Sequence, residues 1–309
     1  MRRQAIISLF FLGTFSSIHA FVVGIMTKSP ISSSFSSSSS SSHFPRTNAV
    51  PLLFLSAIGE GDTVVVVGGS GGVGQLVSRK LAQAGYFVRV TSRNNPSTTD
   101  TNPNLTSTKL DLVKGSDQEL QQAIQGAAAL VISVGTTAFP TLKWKGGNTP
   151  QAIDDIAVTR LAYAASALQS LKRIVLVTSI GVDRTDQMPF FILNLFGVLD
   201  AKKKGEEAVR KAANENIDYA IIRPGRLIGG PFTNLDVAKL LQLKGGAENG
   251  VTVAAGDVLL GDCKRDACAE AIVQCLTNAA CSNVEFSIVS NENETAWSVE
   301  QWTSAFQRM

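Results

Sequence analysis

Residues 63–74 read Thr-Val-Val-Val-Val-Gly-Gly-Ser-Gly-Gly-Val-Gly. A run of β-favouring residues gives way at once to seven positions that hold five glycines, and a helix-forming stretch follows. Gly68, Gly71 and Gly74 have the spacing G-x-x-G-x-x-G at the junction of a strand and a helix. The first lets the chain leave the strand in a tight turn, the second lets backbone approach a pyrophosphate, and the third lets the helix lie near the sheet. An anion held there meets unpaired N–H groups at the positive end of the helix. Gly68, Ser70, Gly71, Gly72, Val73 and Gly74 are therefore candidate contacts to the phosphates of a dinucleotide.

The rest of the chain repeats the strand–helix alternation. Strands are expected at Thr63–Val67, Phe87–Ser92, Ser107–Leu112, Ala128–Val134, Arg173–Ser179, Tyr219–Arg223 and Val284–Ser290. Several are apolar at nearly every position, the pattern of strands buried on both faces. Helices are expected at Gly72–Ala84, Asp117–Gln125, Ala152–Leu171, Ala201–Ala213, Ala267–Leu276 and Ser298–Arg308. The expectation is an α/β fold: a doubly wound, mostly parallel sheet in a single domain.

That domain is expected at 60–309. The preceding 59 residues contain no Asp or Glu, and Ser32–Ser42 is serine except for Phe35. Arg2 and Arg3, a short apolar run and the Ile18-His19-Ala20 site read as a signal peptide (1–20); the Ser-rich remainder (21–59) reads as a transit segment. Phe21 after the cleavable Ala20 resembles the bipartite leader of complex plastids; a secretory signal with a serine linker is the alternative. Taking the leader's four basic residues from the chain's 28 leaves 24 against 25 acids, a formal charge of −1, which gives no support for nucleic-acid binding. Both histidines, His19 and His43, go with the leader. A domain without histidine has no His-ligated metal and no Ser-His or Cys-His nucleophile. Cys263, Cys268, Cys275 and Cys281 form no Cys-x-x-Cys pair, and Cys268 and Cys275 share a helix face that points to the core. No membrane-spanning helix is read after the leader, and no metal site.

The second strand ends "VRVTSRNN", placing Arg93 nineteen residues after Gly74 with no carboxylate beside it. A guanidinium there suits the 2′-phosphate of NADP(H), where an NAD site has an acid. Together "VVVVGGSGGVGQLVSRKLAQAGYFVRVTSR", "LDL", "VISVGTT", "RIVLVTSIGV" and "DYAIIRPGRL" resemble the atypical short-chain dehydrogenase/reductases, in the branch of NmrA-like proteins, biliverdin/flavin reductases and plastid NADP-binding proteins. The resemblance implies that Asp111 and Leu112 border the adenine, and that Val134, Gly135 and Thr136 pass the nicotinamide ribose. It also implies that Ser179 ends a strand beside the nicotinamide and that Pro224 and Gly225 close the cofactor cleft.

The chain departs from conventional members in lacking Tyr-x-x-x-Lys: neither Tyr86, Tyr163 nor Tyr219 has a lysine four residues on. Lys202, with Glu206 one helical turn later, is a candidate to reach the ribose. Ser179 and Lys202 are thus the catalytic candidates. Phe139 and Trp144, in the loop 135–150, are placed to stack on a flat acceptor, and Gln187–Leu199 is uncharged and mostly apolar. Two functional readings stand: an NADPH-dependent oxidoreductase for a planar small molecule (quinone, flavin or tetrapyrrole), and a dinucleotide-sensing scaffold or assembly factor with a plastid protein partner. An exposed Gln187–Leu199 surface favours the second; a closed pocket over the nicotinamide favours the first.

Overall fold

The structure, a computed structural model, describes residues 58–93, 102–230 and 249–309. Strand β1 (Thr63–Val67) has parallel neighbours on both sides, β2 (Phe87–Ser92) and β4 (Ala129–Ile132). β3 (Leu105–Lys109) lies outside β2; beyond β4 come β5 (Arg173–Val177), β6 (Asp218–Pro224), β10 (Val284–Thr295) and β8 (Asn249–Ala255). The order β3-β2-β1-β4-β5-β6-β10-β8 is parallel throughout except that β8 runs antiparallel to β10. The fold is the doubly wound, mostly parallel sheet that the apolar runs predict.

The valines of β1 show why the runs are continuous. Val64 and Val66 face one core with α1 (Gly72–Gln83), α6 (Arg265–Thr277) and α7 (Val299–Phe306). Val65 and Val67 face a second core with α2 (Asp117–Ile124), α3 (Val158–Ser166) and α5 (Val198–Ala212). With period-2 side chains and helices on both faces, every position of a central strand must be apolar. Because strand order reverses between β1 and β4, the carboxyl ends of the strands open a crevice there, the place where such sheets bind ligands.

Several boundaries move. The third strand, expected at Ser107–Leu112, is β3 at Leu105–Lys109; the Asp111 carboxylate accepts the N–H groups of Val113 (3.0 Å) and Lys114 (3.1 Å), a turn that ends the extended segment. The expected helix Ala152–Leu171 starts as a π-helical turn, Gln151–Ala157, continues as α3 and stops at Ser166. β5 ends at Val177, two residues before Ser179. β8 and a parallel pair of three-residue strands, β7 (Arg226–Ile228) and β9 (Asp262–Lys264), have no counterpart in the sequence reading; short and edge strands lack a long apolar run. The uncharged stretch Gln187–Leu199 contains one helical turn, α4 (Phe190–Leu193).

The expected signal peptide (1–20) and all but the end of the expected transit segment (21–59) lie outside the described residues. Ile58, expected in the leader, is buried and donates its N–H to Leu276 O (3.2 Å), so the folded unit reaches at least two residues before position 60. The four cysteines are free and buried. Hydrogen bonding to Cys268 and burial push the Cys263 thiol well up, and burial with Cys281 does the same for Cys275, so both stay protonated. Among the described residues no helix is long and apolar enough to cross a membrane, and no His/Cys/Asp/Glu group could hold a metal ion.

Candidate functional site

The crevice has two halves that share Gly71 and Ser133–Thr136. The first, about 370 Å³, runs over the ends of β1, β2 and β3 and is lined by Gly68, Ser70, Gly71, Thr91, Arg93, Leu110 and Leu112 among others. The second, about 390 Å³, opens toward β5 and β6 and is lined by Gly72, Val73, Val134–Thr136, Ser179, Lys202, Pro224 and Gly225. Of the cofactor-binding and catalytic candidates, Gly74 and Asp111 are missing from both linings. Gly74 is buried beneath the loop, and the Asp111 carboxylate is committed to its turn while Leu110 and Leu112 face the cleft instead.

The glycine loop is held by its own backbone. Gly68 turns out of β1 at φ +84°, a conformation that favours glycine. At Gly74 a Cβ would stand 2.5 Å from Gly68 O and 2.8 Å from Gly69 Cα, so this helix can approach the loop only without a side chain. Gly69, not singled out from sequence, is as constrained: a Cβ there would lie 2.2 Å from Val90 Cγ1 on β2. Helix α1 begins at Gly71 with no side-chain cap and no acid in its first turn. Gly71, Gly72 and Val73, where the unpaired N–H groups of a helix start lie, line the crevice, and an anionic group fits there. The buried Thr91 Oγ1, in the wall of the first half, has no hydrogen-bond partner among the described residues. These features fit a phosphate-bearing dinucleotide.

Lys202 sits on α5 at the wall of the second half, but its counter-ion is not Glu206. Its Nζ donates to Asp154 Oδ1 at 2.6 Å, and Asp154 Oδ2 accepts from the Thr136 N–H (3.1 Å) and Thr136 Oγ (2.5 Å). The Asp154 side chain is 2 % exposed and that of Lys202 11 %. Asp154 comes from the π-helical turn, which Gly205 lets α5 approach closely: a Cβ on Gly205 would lie 2.5 Å from Asp154 O. Asp154 escaped the sequence reading because its partners are 18 and 48 residues away in the chain. The sequence offers two adjacent aspartates, Asp154 and Asp155, in one helical stretch, and only the fold distinguishes the buried one.

Glu206, fully buried, belongs to a second network behind the cleft. It accepts from Thr178 Oγ (2.7 Å), Arg223 Nε (3.0 Å) and Nη2 (2.7 Å), and Arg210 Nη2 (3.0 Å). Arg223 and Arg210 also reach Glu285. Burial alone would raise the Glu285 carboxyl, but Arg210 and Arg223 outweigh it and hold the group below its usual range. Glu206 and Glu285 balance Arg210 and Arg223, and Asp183, 3.6 Å from Arg223 Nη2, is balanced by Lys203 at 3.0 Å, so the cluster is internally neutral, which buried charges require. It ties α5 to β5, β6 and β10 and sets where Ser179, next after Thr178, enters the cleft.

The aromatic residues expected over an acceptor are engaged elsewhere. Trp144 donates Nε1–H to Thr137 Oγ (3.1 Å), and the Trp144 and Phe139 rings pack edge-on against Phe196, with centroids 6.1 and 6.0 Å away. Neither lines the cleft. The loop 135–150 is thereby fastened to the segment 187–199, which leaves Met188, Phe191, Leu195 and Phe196 substantially exposed.

Comparison with known proteins agrees with this geometry. The sequence model of a family described as NAD(P)H-binding matches residues 68–279. The chain is 30 % identical over 220 residues to "Protein TIC 62, chloroplastic" of Oryza sativa subsp. japonica, covering 59 % of this chain and 43 % of that protein. It is also 30 % identical over 222 residues to the Arabidopsis thaliana protein of the same name, covering 59 % and 33 %. The chain thus spans less than half the length of these relatives. In fold it is similar to the oxidoreductase ylbE of Lactococcus lactis (TM-score 0.61, 17 % identity, 80 % of this chain and 97 % of that one). It is similar, too, to the anaerobilin reductase ChuY of Escherichia coli O157:H7 (TM-score 0.55, 18 % identity, 74 % and 98 %).

Proposed function

The chain belongs to the NAD(P)H-binding family, and on that premise we propose that it is a plastid NADPH-dependent oxidoreductase that reduces a planar acceptor such as a quinone, flavin or tetrapyrrole. The observation that carries this reading is the second half of the crevice, where Ser179 and the Lys202 ammonium border one cavity with Val134–Thr136 and Pro224. A bound NADPH supplies hydride; the chain's residues bind and orient. Gly68, Ser70, Gly71, Gly72 and Val73 hold the phosphates on the uncapped end of α1, with Gly74 keeping that helix close. Leu112 borders the adenine. Lys202, held by Asp154, presents N–H donors toward the nicotinamide ribose, and Ser179, whose hydroxyl donates to Ile180 O (3.0 Å), turns that O–H to the acceptor. With no Tyr-x-x-x-Lys pair, the acceptor takes its proton from water, which flavins and quinones allow.

NADP(H) is preferred over NAD(H) because Arg93 lines the first half while no Asp or Glu does so among the described residues. The plastid location rests on the relatives named chloroplastic and on the proposed leader, a signal peptide (1–20) and transit segment (21–59) ahead of the folded domain. The exposed apolar side chains of Met188, Phe191 and Leu195 favour a second reading, a dinucleotide-sensing scaffold for a protein partner.

The test is NADPH oxidation by the full-length protein against quinones, flavins and tetrapyrroles, with NADPH and NADH binding followed by fluorescence in the same samples. Turnover that falls in Ser179→Ala or Lys202→Ala supports the reductase. Tight NADPH binding without consumption of any acceptor favours the scaffold. Arg93→Gln is expected to lower the NADPH-to-NADH affinity ratio by about tenfold or more, the scale of one charge-assisted contact; an unchanged ratio removes Arg93 from cofactor choice.

A further inference from the structure

The second half of the crevice has an electrostatic character that hydride transfer alone does not call for. Three cations line it, Lys202, Arg226 and Arg265, and among the described residues no carboxylate does. Two of the three have their counter-ions outside that lining: Lys202 has Asp154, and Arg226 has a bidentate pairing with Asp262 at 2.8 Å through both Nε and Nη2. Arg265 differs. Its Nη1 donates to the Gly229 carbonyl at 2.5 Å, and it meets no carboxylate among the described residues. Cations inside a concave wall, with their partners set back from it, leave a positive potential in the cavity. The first turn of α1 adds to it, since Gly72 opens that helix and lines the same cavity, with neither a side-chain cap nor an acid in the turn.

Taking the proposed oxidoreductase reading as its base, we infer that this end of the crevice is an oxyanion site for the acceptor: the flat molecule reduced there carries a carboxylate or phosphate that Arg265 and Arg226 bind. Arg265 is the primary contact because, among the described residues, its guanidinium donates only to the Gly229 carbonyl and meets no counter-ion. Arg226, on β7, is half of an exposed ion pair and can share its outer face without losing Asp262. The cavity holds a fused-ring acceptor end-on between Ser179 and the two arginines, and an uncharged quinone leaves the Arg265 charge unused. The same chemistry could be read from a second source, the cofactor's own diphosphate, and the experiment separates the two.

The probes are FMN and riboflavin, which share one ring system and differ in a single phosphate. Binding of each to the full-length protein saturated with NADP+ is measured by flavin fluorescence, beside turnover with NADPH. The expected result is an FMN affinity at least tenfold above that of riboflavin, falling as salt rises. The preference collapses in Arg265→Gln, weakens in Arg226→Gln and is largely retained in Arg265→Lys. Equal binding of the two flavins by the wild-type protein overturns the inference. So does a preserved preference in Arg265→Gln accompanied by a matching loss of NADP+ affinity, which assigns the arginine to the cofactor. Because the readout is a binding ratio, failure of the reductase reading is distinguishable: a phosphate preference without turnover leaves the oxyanion site standing, and turnover without preference leaves the reductase standing. A folded Arg226→Gln and Arg265→Lys keep the comparison available should Arg265→Gln not fold.

Discussion

Helices α1 and α2 start with the same backbone and opposite chemistry. The residue before α1, Gly71, has φ −75° and ψ 164°; the residue before α2, Ser116, has φ −71° and ψ 161°; Ser298 before α7 has φ −73° and ψ 166°. α2 and α7 close their first turns with capping boxes, Ser116 with Glu119 and Ser298 with Gln301. α1 has glycine at both corresponding positions, Gly71 and Gly74. Since the Gly71 backbone is one that serine adopts twice in this molecule, glycine is not there for its conformation. It leaves the helix end bare, and a bare helix end facing a crevice is a seat for an anion. At Gly74 space is decisive, because a Cβ would stand 2.5 Å from Gly68 O; at Gly71 a Cβ would stand 3.1 Å from the same oxygen, a tight contact but a milder one.

The contrast can be broken from either side. The largest effect is expected for Gly74→Ala, whose methyl group is driven into backbone that cannot swing aside; a loss of about 3 kcal/mol in chemical denaturation, together with lost NADPH binding, is the expected outcome. Gly71→Asp comes next. It gives α1 the cap it lacks and puts a carboxylate where a phosphate is proposed, so NADPH affinity should fall roughly 100-fold, while thermal stability changes far less than in Gly74→Ala because the cap offsets the 3.1 Å approach of the new Cβ to Gly68 O. Unchanged affinity would mean that the helix end is not an anion seat. Ser116→Ala removes the corresponding cap from α2 and should cost about 1 kcal/mol, seen as a Tm lower by about 2–4 °C, with NADPH binding unaltered.

The smallest effect separates the two boxes by pH. Hydrogen bonds from the Ser116 N–H and hydroxyl hold the Glu119 carboxyl below its ordinary range. A lowered folded pKa contributes stability above the unfolded value and loses it as pH falls through the folded one. Glu119→Gln should therefore melt slightly below wild type near neutrality and converge with it in acid. Gln301, which does not titrate, should leave the α7 box insensitive over the same range. A constant gap between Glu119→Gln and wild type across the titration would show that charge plays no part in the α2 box.

What could be read from sequence was local. The glycine loop, the four-valine strand and the order of strands and helices concern residues close in the chain, where hydrogen-bonding and steric rules act directly. Arg93, Leu112, Val134–Thr136, Ser179, Lys202 and Pro224 all line the crevice because each follows or flanks an element that the apolar runs already mark. Asp111 lies in the same neighbourhood, but a turn two residues long claims its carboxylate. Trp144 and Phe139 sit in the expected loop with their rings turned to Phe196, since a long loop is stabilised by whatever apolar surface the rest of the fold brings to it.

The sequence by itself determined the sheet, the loop that opens the crevice and the absence of histidine from the domain, because composition and short spacing are enough for each. Tertiary structure alone decided the partners of the charged residues. Helical spacing paired Lys202 with Glu206, whereas the folded chain pairs Lys202 with Asp154 and buries Glu206 against Arg223 and Arg210. Which carboxylate meets which cation depends on the rotation of α5 against the π-helical turn and on the close approach that Gly205 allows. Those are set by packing between segments some fifty residues apart, and a buried charge is neutralised by the counter-ion that packing delivers, not by the one nearest in sequence.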